Sequence, residues 1–355
     1  KIKTIAEIAA ACHVSIEVHD APCEDGHILT LQRFSLRDSS PAPRAPPVLL
    51  IHGLLQDSDA FFCGGEESIV YSLLKDGYDV WCGNNRGTKY SSRHETLSPE
   101  STDYWAYNID HLARYDVPVM IRSVLKESSR GQLALIGFSQ GSAQTFAALS
   151  TSPALNERVS VFVALAPAVK TAAVGGFIYH LASAYPDILT AVFGKLSFLP
   201  IVLGWKRLLT PELFERVVST SKLLLFGWDC QQIRMERRLS LYQYIYSLSS
   251  VQCVSHWFQV LGQNNGVLCN FCSTSSSDIQ KRHDYDISKI SCPVAVFSGE
   301  RDNIIDAAII PFSVPNCVHV HVEAQYEHLD MIWADRAHES VFPAVLGVLR
   351  DHCLK

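Results

Sequence analysis

Several features of membrane, nucleic-acid-binding and secreted proteins are missing from this sequence. No apolar run reaches the roughly 18 residues of a membrane span, and the longest candidate, 191–205, is interrupted by Lys195 and Pro200. No basic cluster is present, and 30 Lys and Arg against 36 Asp and Glu give a net charge of −6, which argues against a nucleic-acid partner. No Asn-x-Ser/Thr acceptor occurs.

The cysteines and the N-terminus bear on the compartment and on metal binding. The eleven cysteines are an odd, scattered set rather than a paired framework, and the chain begins without a signal-peptide pattern. These features favour an intracellular protein over a secreted or lysosomal one. Cys269 and Cys272 form a lone C-x-x-C without a second pair or a histidine at zinc spacing, so we predict no metal site.

What the chain does have is a large apolar content that alternates between strand and helix patterns. Hydrophobic residues make up 48% of the 355 residues, enough for a large core. Short apolar runs typical of buried parallel strands occur at 48–51, 79–82, 133–136, 161–165, 294–297 and 318–322, and an alternating strand pattern at 25–34. Helical patterns lie between several of them, at 66–75, 109–127, 140–151 and 336–352. Alternation of this kind predicts an α/β fold with a mostly parallel, doubly wound sheet.

One long segment interrupts the alternation. Residues 168–287 contain no buried-strand pattern and instead read as helices at 175–193, 211–226, 237–249 and 251–262. An insertion of this size lies over the carboxyl edge of the sheet, where α/β proteins bind ligands. We therefore predict a core formed by 1–167 and 288–355 and a helical cap formed by 168–287, with an apolar inner face.

The strongest local motif is Gly137-Phe138-Ser139-Gln140-Gly141, which follows an apolar run and precedes a helical pattern. Glycines on both sides of a serine permit the tight strand–turn–helix geometry of a nucleophile elbow. We predict Ser139 as a nucleophile.

A serine nucleophile needs a base and an acid that orients the base. In a fold of this kind the acid follows the serine in the chain, and the histidine follows the acid. Asp302 follows the run 294–297 and His328 follows the run 318–322, so both are expected at the same sheet edge as Ser139. Glu300 is the reserve acid, and His321 is the rival histidine inside the last strand. A helix N-cap is the alternative role for Asp302.

The negative charge that develops on attacked carbonyl oxygen requires donors. The N–H of Gln140, directly after the serine, and the N–H of Leu54, in the loop after the first buried strand, are the predicted pair. His52 is interpreted as bracing that loop. Attack by an activated serine requires no cofactor, and none is predicted.

Longer motifs run in a matching order through nearly the whole chain. They are HGLLQ (52–56), YDVWCGNNRGT (78–88), YWAYNIDHLARYDVPV (104–119), GFSQG (137–141), ALAPAV (164–169), SVQCVSHWFQ (250–259), YDISKISCPVAVFSG (285–299) and EHLDMIWA (327–334). In these motifs the chain resembles the acid lipase and sterol-ester hydrolase family, within it the fungal steryl ester hydrolases. The resemblance implies the same triad of Ser139, Asp302 and His328 and a helical cap over an acyl pocket. Phe138 departs from the family, which usually has histidine there, and 264–277 does not align.

Together these observations predict a serine carboxylic-ester hydrolase that acts on apolar lipid esters, most of all sterol esters, through an acyl-enzyme. The expected partners are the lipid ester and the surface of a lipid droplet or membrane. A triacylglycerol lipase, or an acyltransferase or thioesterase with the same triad, is the alternative function. A non-catalytic ligand-binding protein of the same fold is the remote one, and the oligomeric state stays open.

Overall fold

The computed structural model describes residues 3–37, 46–171, 187–198, 200–272 and 282–353. Its centre is a nine-stranded sheet with the order β1-β2-β4-β3-β6-β7-β8-β9, while β5 pairs with β2. The strands are Val14–Pro22 (β1), His27–Leu36 (β2), Pro47–Ile51 (β3), Asp79–Asn84 (β4), Arg93–His94 (β5), Leu133–Phe138 (β6), Val159–Leu165 (β7), Val294–Gly299 (β8) and Cys317–Glu323 (β9). From β4 to β9 all neighbours are parallel, which confirms the predicted α/β fold.

The central strands are buried along their whole length, as their unbroken apolar sequences predict. Every residue of β3, β6 and β8 is buried, because helices cover both faces of the sheet. The prediction of a buried strand at 318–322 is wrong in this respect. β9 lies at the edge of the sheet, and its Val318, Val320 and Val322 are 45%, 48% and 58% exposed. An edge strand has one neighbour, so its outer face stays open to solvent.

The sequence analysis did not predict the N-terminal elements. A short helix, Ile5–Ala11, begins at a capping box in which the Thr4 side chain accepts the Glu7 N–H and the Glu7 carboxylate accepts the Thr4 N–H. The following strand, β1, pairs with β2 in an antiparallel hairpin, and β2 pairs antiparallel with β4. The sheet is therefore mixed at this edge and parallel through the part that carries the site.

Helices connect the parallel strands and flank the sheet. The α-helices are Ile5–Ala11 (α1), Ile69–Lys75 (α2), Ile109–His111 (α3), Val117–Ser128 (α4), Gln140–Thr151 (α5), Pro153–Asn156 (α6), Asp187–Phe193 (α7), Ile201–Leu208 (α8), Pro211–Phe226 (α9), Met235–Leu241 (α10), Val251–Gln263 (α11), Ile310–Ser313 (α12), Asp330–Trp333 (α13) and Val341–Cys353 (α14). The pattern at 109–127 is one helical path interrupted by a π-helical turn at Leu112–Asp116. Helix 237–249 is shorter than predicted, and the last helix begins at Val341 rather than 336.

Between β7 and β8 the described residues contain helices α7 to α11 and only isolated β-bridges. The predicted helix 211–226 is present with those bounds, and 251–262 corresponds to α11. Of the predicted helix 175–193, residues 175–186 lie outside the described residues, and 187–193 is helical. Throughout the described ranges, no helix is long and apolar enough to span a membrane.

Candidate active site

Ser139 occupies the sharp turn between β6 and α5. Its backbone has φ 54° and ψ −117°, a conformation that costs free energy for a residue with a side chain. Both flanking positions require glycine for a steric reason. A Cβ on Gly137 would lie 2.7 Å from the Ser142 nitrogen. A Cβ on Gly141 would lie 2.1 Å from the carbonyl oxygen of Ile51. The turn can form only with glycine at both positions, and it raises the Ser139 hydroxyl above the carboxyl edge of the sheet.

A chain of two hydrogen bonds links Ser139 to a histidine and an aspartate. His328 Nε2 lies 2.7 Å from Ser139 Oγ, and His328 Nδ1 lies 2.6 Å from Asp302 Oδ2. The carboxylate accepts, so Nδ1 carries the proton and Nε2 is left to accept the serine hydroxyl. Asp302 and His328 are both 5% exposed, so these two hydrogen bonds are protected from water.

Asp302 is not a helix N-cap, because the next helical turn begins at Ala307, but its carboxylate makes a turn contact. Its Oδ1 accepts the N–H of Ile304 at 3.1 Å, while Oδ2 faces His328. The turn contact therefore holds the carboxylate in the orientation that the histidine requires. The reserve residues lie elsewhere: Glu300 is exposed, and His321 Nε2 pairs with Glu323 at 2.8 Å within β9.

The backbone segments that carry the two predicted oxyanion donors lie beside the serine. Gln140 is the first residue of α5, and N–H groups in the first turn of a helix have no acceptor within the helix. The loop that carries Leu54 touches the elbow, because a Cβ on Gly53 would lie 3.2 Å from Ser139 Cβ. The structure thus brings both backbone segments to the serine.

His52 braces the oxyanion loop. Its Nδ1 lies 2.9 Å from the Gly53 carbonyl oxygen, and its Nε2 accepts the Asn85 N–H at 3.1 Å. Burial lowers the pKa of His52, which favours the neutral ring that donates at one nitrogen and accepts at the other.

Two tryptophans of the segment between β7 and β8 contact the site, and the sequence alone did not say which. The Trp257 indole N–H donates to Gln140 Oε1 at 2.8 Å. The Trp228 ring lies parallel to the His328 imidazole, with 7° between the planes and 5.2 Å between the centroids. Trp205 is 39% exposed. The sequence shows that the insertion contains tryptophans, but which residues these tryptophans contact depends on the tertiary structure.

A small cavity lies next to the site. A cavity of about 10 Å³, large enough for roughly one water molecule, lies behind the oxyanion loop between His52, Gln56 and Gln140. A larger cavity of about 440 Å³ between α1, α9 and α10 is lined by none of Ser139, Asp302 and His328.

The thiols form no evident metal site. All eleven cysteines are free, and Cys269 and Cys272 are buried. Within the ranges that the structure describes, no group of three or more His, Cys, Asp or Glu side chains is arranged to hold a metal ion.

Comparison with known proteins agrees with this geometry. The alpha/beta hydrolase fold family matches residues 46–335, and a partial alpha/beta-hydrolase lipase region matches residues 5–65. A probable lipase of Schizosaccharomyces pombe is 34% identical over 100% of this chain and 81% of its own length. Human gastric triacylglycerol lipase is 28% identical over 94% of this chain and 88% of its own length.

Solved structures share the fold at lower identity. A soluble variant of monoglyceride lipase from Saccharomyces cerevisiae superposes with a TM-score of 0.61 at 16% identity, covering 95% of this chain and 96% of that one. At that identity the likeness concerns the fold alone. The family matches and the lipase relatives cover nearly the whole chain, and they include the strands that carry Ser139, Asp302 and His328. The chain therefore belongs to the α/β-hydrolase family, as an acid-lipase-like carboxylic ester hydrolase.

Proposed function

We propose that this hydrolase cleaves apolar lipid esters through an acyl-enzyme on Ser139, with His328 as the general base and Asp302 as the acid that orients it. The observation that carries the proposal is the pair of hydrogen bonds at 2.7 and 2.6 Å that joins the three side chains. The arrangement satisfies what a serine nucleophile needs: a base within reach of its proton and a carboxylate that fixes the tautomer of that base.

The reaction follows from this geometry. Ser139 Oγ attacks the ester carbonyl carbon while its proton passes to His328 Nε2. The carbonyl oxygen becomes an oxyanion, which the N–H groups of Leu54 and Gln140 stabilise. Collapse of the intermediate expels the alcohol, which takes the proton from His328. A water molecule then attacks the carbonyl carbon of the acyl-enzyme and gives a proton to His328. Collapse of this second intermediate releases the fatty acid, and His328 returns the proton to Ser139 Oγ.

We propose residues 168–287 as a cap over this site. Its described helices lie between β7 and β8, and two of its side chains reach the catalytic residues: Trp228 stacks on His328, and Trp257 donates to Gln140. A cap of this composition suits a long acyl chain, because each CH₂ removed from water contributes about 0.8 kcal/mol. The acyl chain would enter between the cap and the sheet edge.

The surface around the cap supports a lipid partner. Leu208 and Leu224 on cap helices are 82% and 75% exposed, and Phe312, on a core helix after the Asp302 loop, is 91% exposed. Exposed apolar side chains mark a binding surface where they form a contiguous patch. We propose that they contact a droplet or a bilayer when the substrate is taken up. Binding to phospholipid-coated trioleoylglycerol emulsion, measured by flotation, should fall in a Leu208→Ser/Leu224→Ser/Phe312→Ser variant. Undiminished flotation would exclude these side chains as the contact.

Among lipid esters we propose sterol esters as the preferred substrates, on the resemblance of the motifs from His52 to Ala334 to the sterol-ester hydrolases. Triacylglycerol is the second candidate, favoured by the 28% identity to human gastric triacylglycerol lipase. The specificity constants for cholesteryl oleate and trioleoylglycerol in one mixed emulsion decide between them. A higher kcat/KM for trioleoylglycerol would contradict the sterol-ester proposal. Addition of a long-chain alcohol as acceptor tests whether acyl transfer competes with hydrolysis.

The role of Ser139 is tested by Ser139→Ala. Loss of a triad nucleophile lowers turnover by about 10⁶-fold, and p-nitrophenyl butyrate reports it without a lipid interface. Ser142→Ala is the matched control: its hydroxyl lies three residues along and donates to the Gly137 carbonyl at 2.6 Å, away from the reaction. Retention of more than a tenth of the activity in Ser139→Ala would refute the assignment of the nucleophile.

A further inference from the structure

The end of cap helix α9 enters the active site as a defined turn. Gly227 has φ +72°, and its N–H donates to the Leu223 carbonyl at 2.9 Å, which ends the helix. The chain then turns so that Trp228, which is 5% exposed, lies against His328. We name residues Phe226–Cys230 the latch segment.

The flat contact between Trp228 and His328 restricts the imidazole. The ring must keep one orientation for Nδ1 to face Asp302 and Nε2 to face Ser139 at the same time. Rotation about the Cβ–Cγ bond would break the parallel stacking with Trp228, at 7° and 5.2 Å. Phe138 contacts the same imidazole at 5.3 Å, tilted by 47°. Aromatic contacts of this kind contribute free energy beyond burial alone.

The residue after the catalytic acid holds the latch segment. Asn303 follows Asp302 in the chain, and its Oδ1 accepts the Trp228 indole N–H at 2.9 Å. Its Nδ2 donates to the carbonyl of Phe226, the last residue of α9. One amide side chain therefore fixes both the tryptophan and the helix end relative to the acid.

The residue before the catalytic base holds the same segment. Glu327 is 3% exposed, and its carboxylate accepts the N–H groups of Asp229 at 3.1 Å and Cys230 at 2.8 Å. Hydrogen bonds from backbone N–H groups to a charged carboxylate are stronger than those to a neutral acceptor. The Glu327 N–H in turn donates to Asp330 Oδ2 at 2.7 Å, which fixes the turn that carries His328.

We infer that the latch segment is a positioning device for the catalytic histidine, held by Asn303 beside the acid and Glu327 beside the base. The inference rests on the proposed function, since it takes His328 as the base. Its consequence is that displacement of the cap withdraws Trp228 from His328. When the latch segment is in place, it increases the reactivity of the site toward every ester, including a small soluble ester that needs no acyl slot. Trp228, Asn303 and Glu327 are positioning residues, because they act through His328.

The first test compares tryptophan substitutions with p-nitrophenyl acetate as substrate. Trp228→Leu removes the stacking and should lower kcat by about 2- to 13-fold, the range expected for an aromatic pair, with KM changed less than twofold. Trp228→Phe keeps an aromatic face and should recover most of that loss. Trp205→Leu is the matched control, the same change at a cap tryptophan that is 39% exposed. Thermal unfolding of each variant separates a loss of stability from a loss of turnover.

The second test asks whether the hydrogen bonds to Glu327 and the stacking of Trp228 on His328 act together. Glu327→Gln keeps one acceptor oxygen and replaces the other with an amide that cannot accept an N–H. Its loss in kcat should be non-additive with that of Trp228→Leu, since both act on one segment. The NMR resonance of the His328 Cε1 proton supplies a direct readout: removal of the indole ring current in Trp228→Leu should shift it downfield, and Trp205→Leu should leave it in place.

The outcomes separate the inference from the proposed function. If Ser139→Ala is inactive but Trp228→Leu turns over p-nitrophenyl acetate as fast as Trp205→Leu does, the positioning role is refuted and the serine mechanism stands. Strictly additive losses in the Glu327→Gln/Trp228→Leu cycle would also refute a single device. If Trp228→Leu does not fold, Asn303→Ala takes its place, because it removes the side chain that holds both Trp228 and the end of α9. An unchanged kcat in Asn303→Ala would then refute the inference. Activity in Ser139→Ala would instead refute the proposed function.

Discussion

Asp330 is a buried carboxyl group two residues after His328, and it makes stability depend on pH. Burial raises the pKa of Asp330 to about 7, even though the Glu327 N–H and the Lys222 cation favour the charged form. The neighbouring charges of Glu327 and Asp229 add to the increase. Its Oδ2 accepts the Glu327 N–H at 2.7 Å, whereas its Oδ1 is buried with no hydrogen-bond partner among the described residues.

The sign and size of the effect follow from linkage. An aspartate in the unfolded chain has a pKa of about 3.9, so the folded state binds this proton more tightly than the unfolded state does. The resulting stabilisation is complete below pH 4 and is lost as the pH rises to about 7. A difference of about 3 pKa units corresponds to about 4 kcal/mol in total. Between pH 5 and pH 8, about 2.5 kcal/mol of it disappears.

Asp330→Asn removes the titration and keeps an oxygen that can accept the Glu327 N–H. We expect the free energy of unfolding of the variant, relative to the parent, to increase by about 2–3 kcal/mol from pH 5 to pH 8. Urea unfolding of both proteins in matched buffers measures this difference. Asp103→Asn, the same change at an exposed carboxylate, is the control. A parent-to-variant difference that stays constant within about 0.5 kcal/mol across this range would refute the reasoning.

Two further predictions concern the elbow and the core. Gly141→Ala places a Cβ 2.1 Å from the Ile51 carbonyl oxygen and should lower the free energy of unfolding by more than about 3 kcal/mol or abolish soluble expression. Gly347→Ala is the control, because its Cβ meets open space on a helix. Thermal unfolding should show it to be neutral or stabilising by up to about 1 kcal/mol. Asp116→Ala removes one of the two carboxylates that contact the buried Arg86 guanidinium, at 2.7 Å, and leaves Asp25 at 2.6 Å. It should lower the free energy of urea unfolding by about 2–3 kcal/mol, and a loss below about 1 kcal/mol would contradict this.

The sequence determined the elements whose signals are local. A strand buried on both faces has to be continuously apolar, so β3, β6, β7 and β8 could be located from composition alone. The elbow could be located too, because Gly137 and Gly141 are required by contacts within the turn and with the adjacent strand. The order of strands and helices along the chain then made it possible to name Ser139, Asp302 and His328 as candidates at one edge of the sheet.

The tertiary structure decided everything that depends on which segments meet. The sequence 317–323 (CVHVHVE) alternates valine with histidine, and only the tertiary structure shows that the valines lie on the exposed face of an edge strand. His321 and His328 differ in their surroundings, because His321 is paired within β9 and His328 lies 2.7 Å from Ser139. The contacts of Trp228, Asn303 and Glu327 join residues 75 to 100 positions apart. Local propensity carries no information about such pairs, because the free energy that selects them comes from burial and hydrogen bonding. These contacts exist only after the segment between β7 and β8 has packed on the rest of the chain.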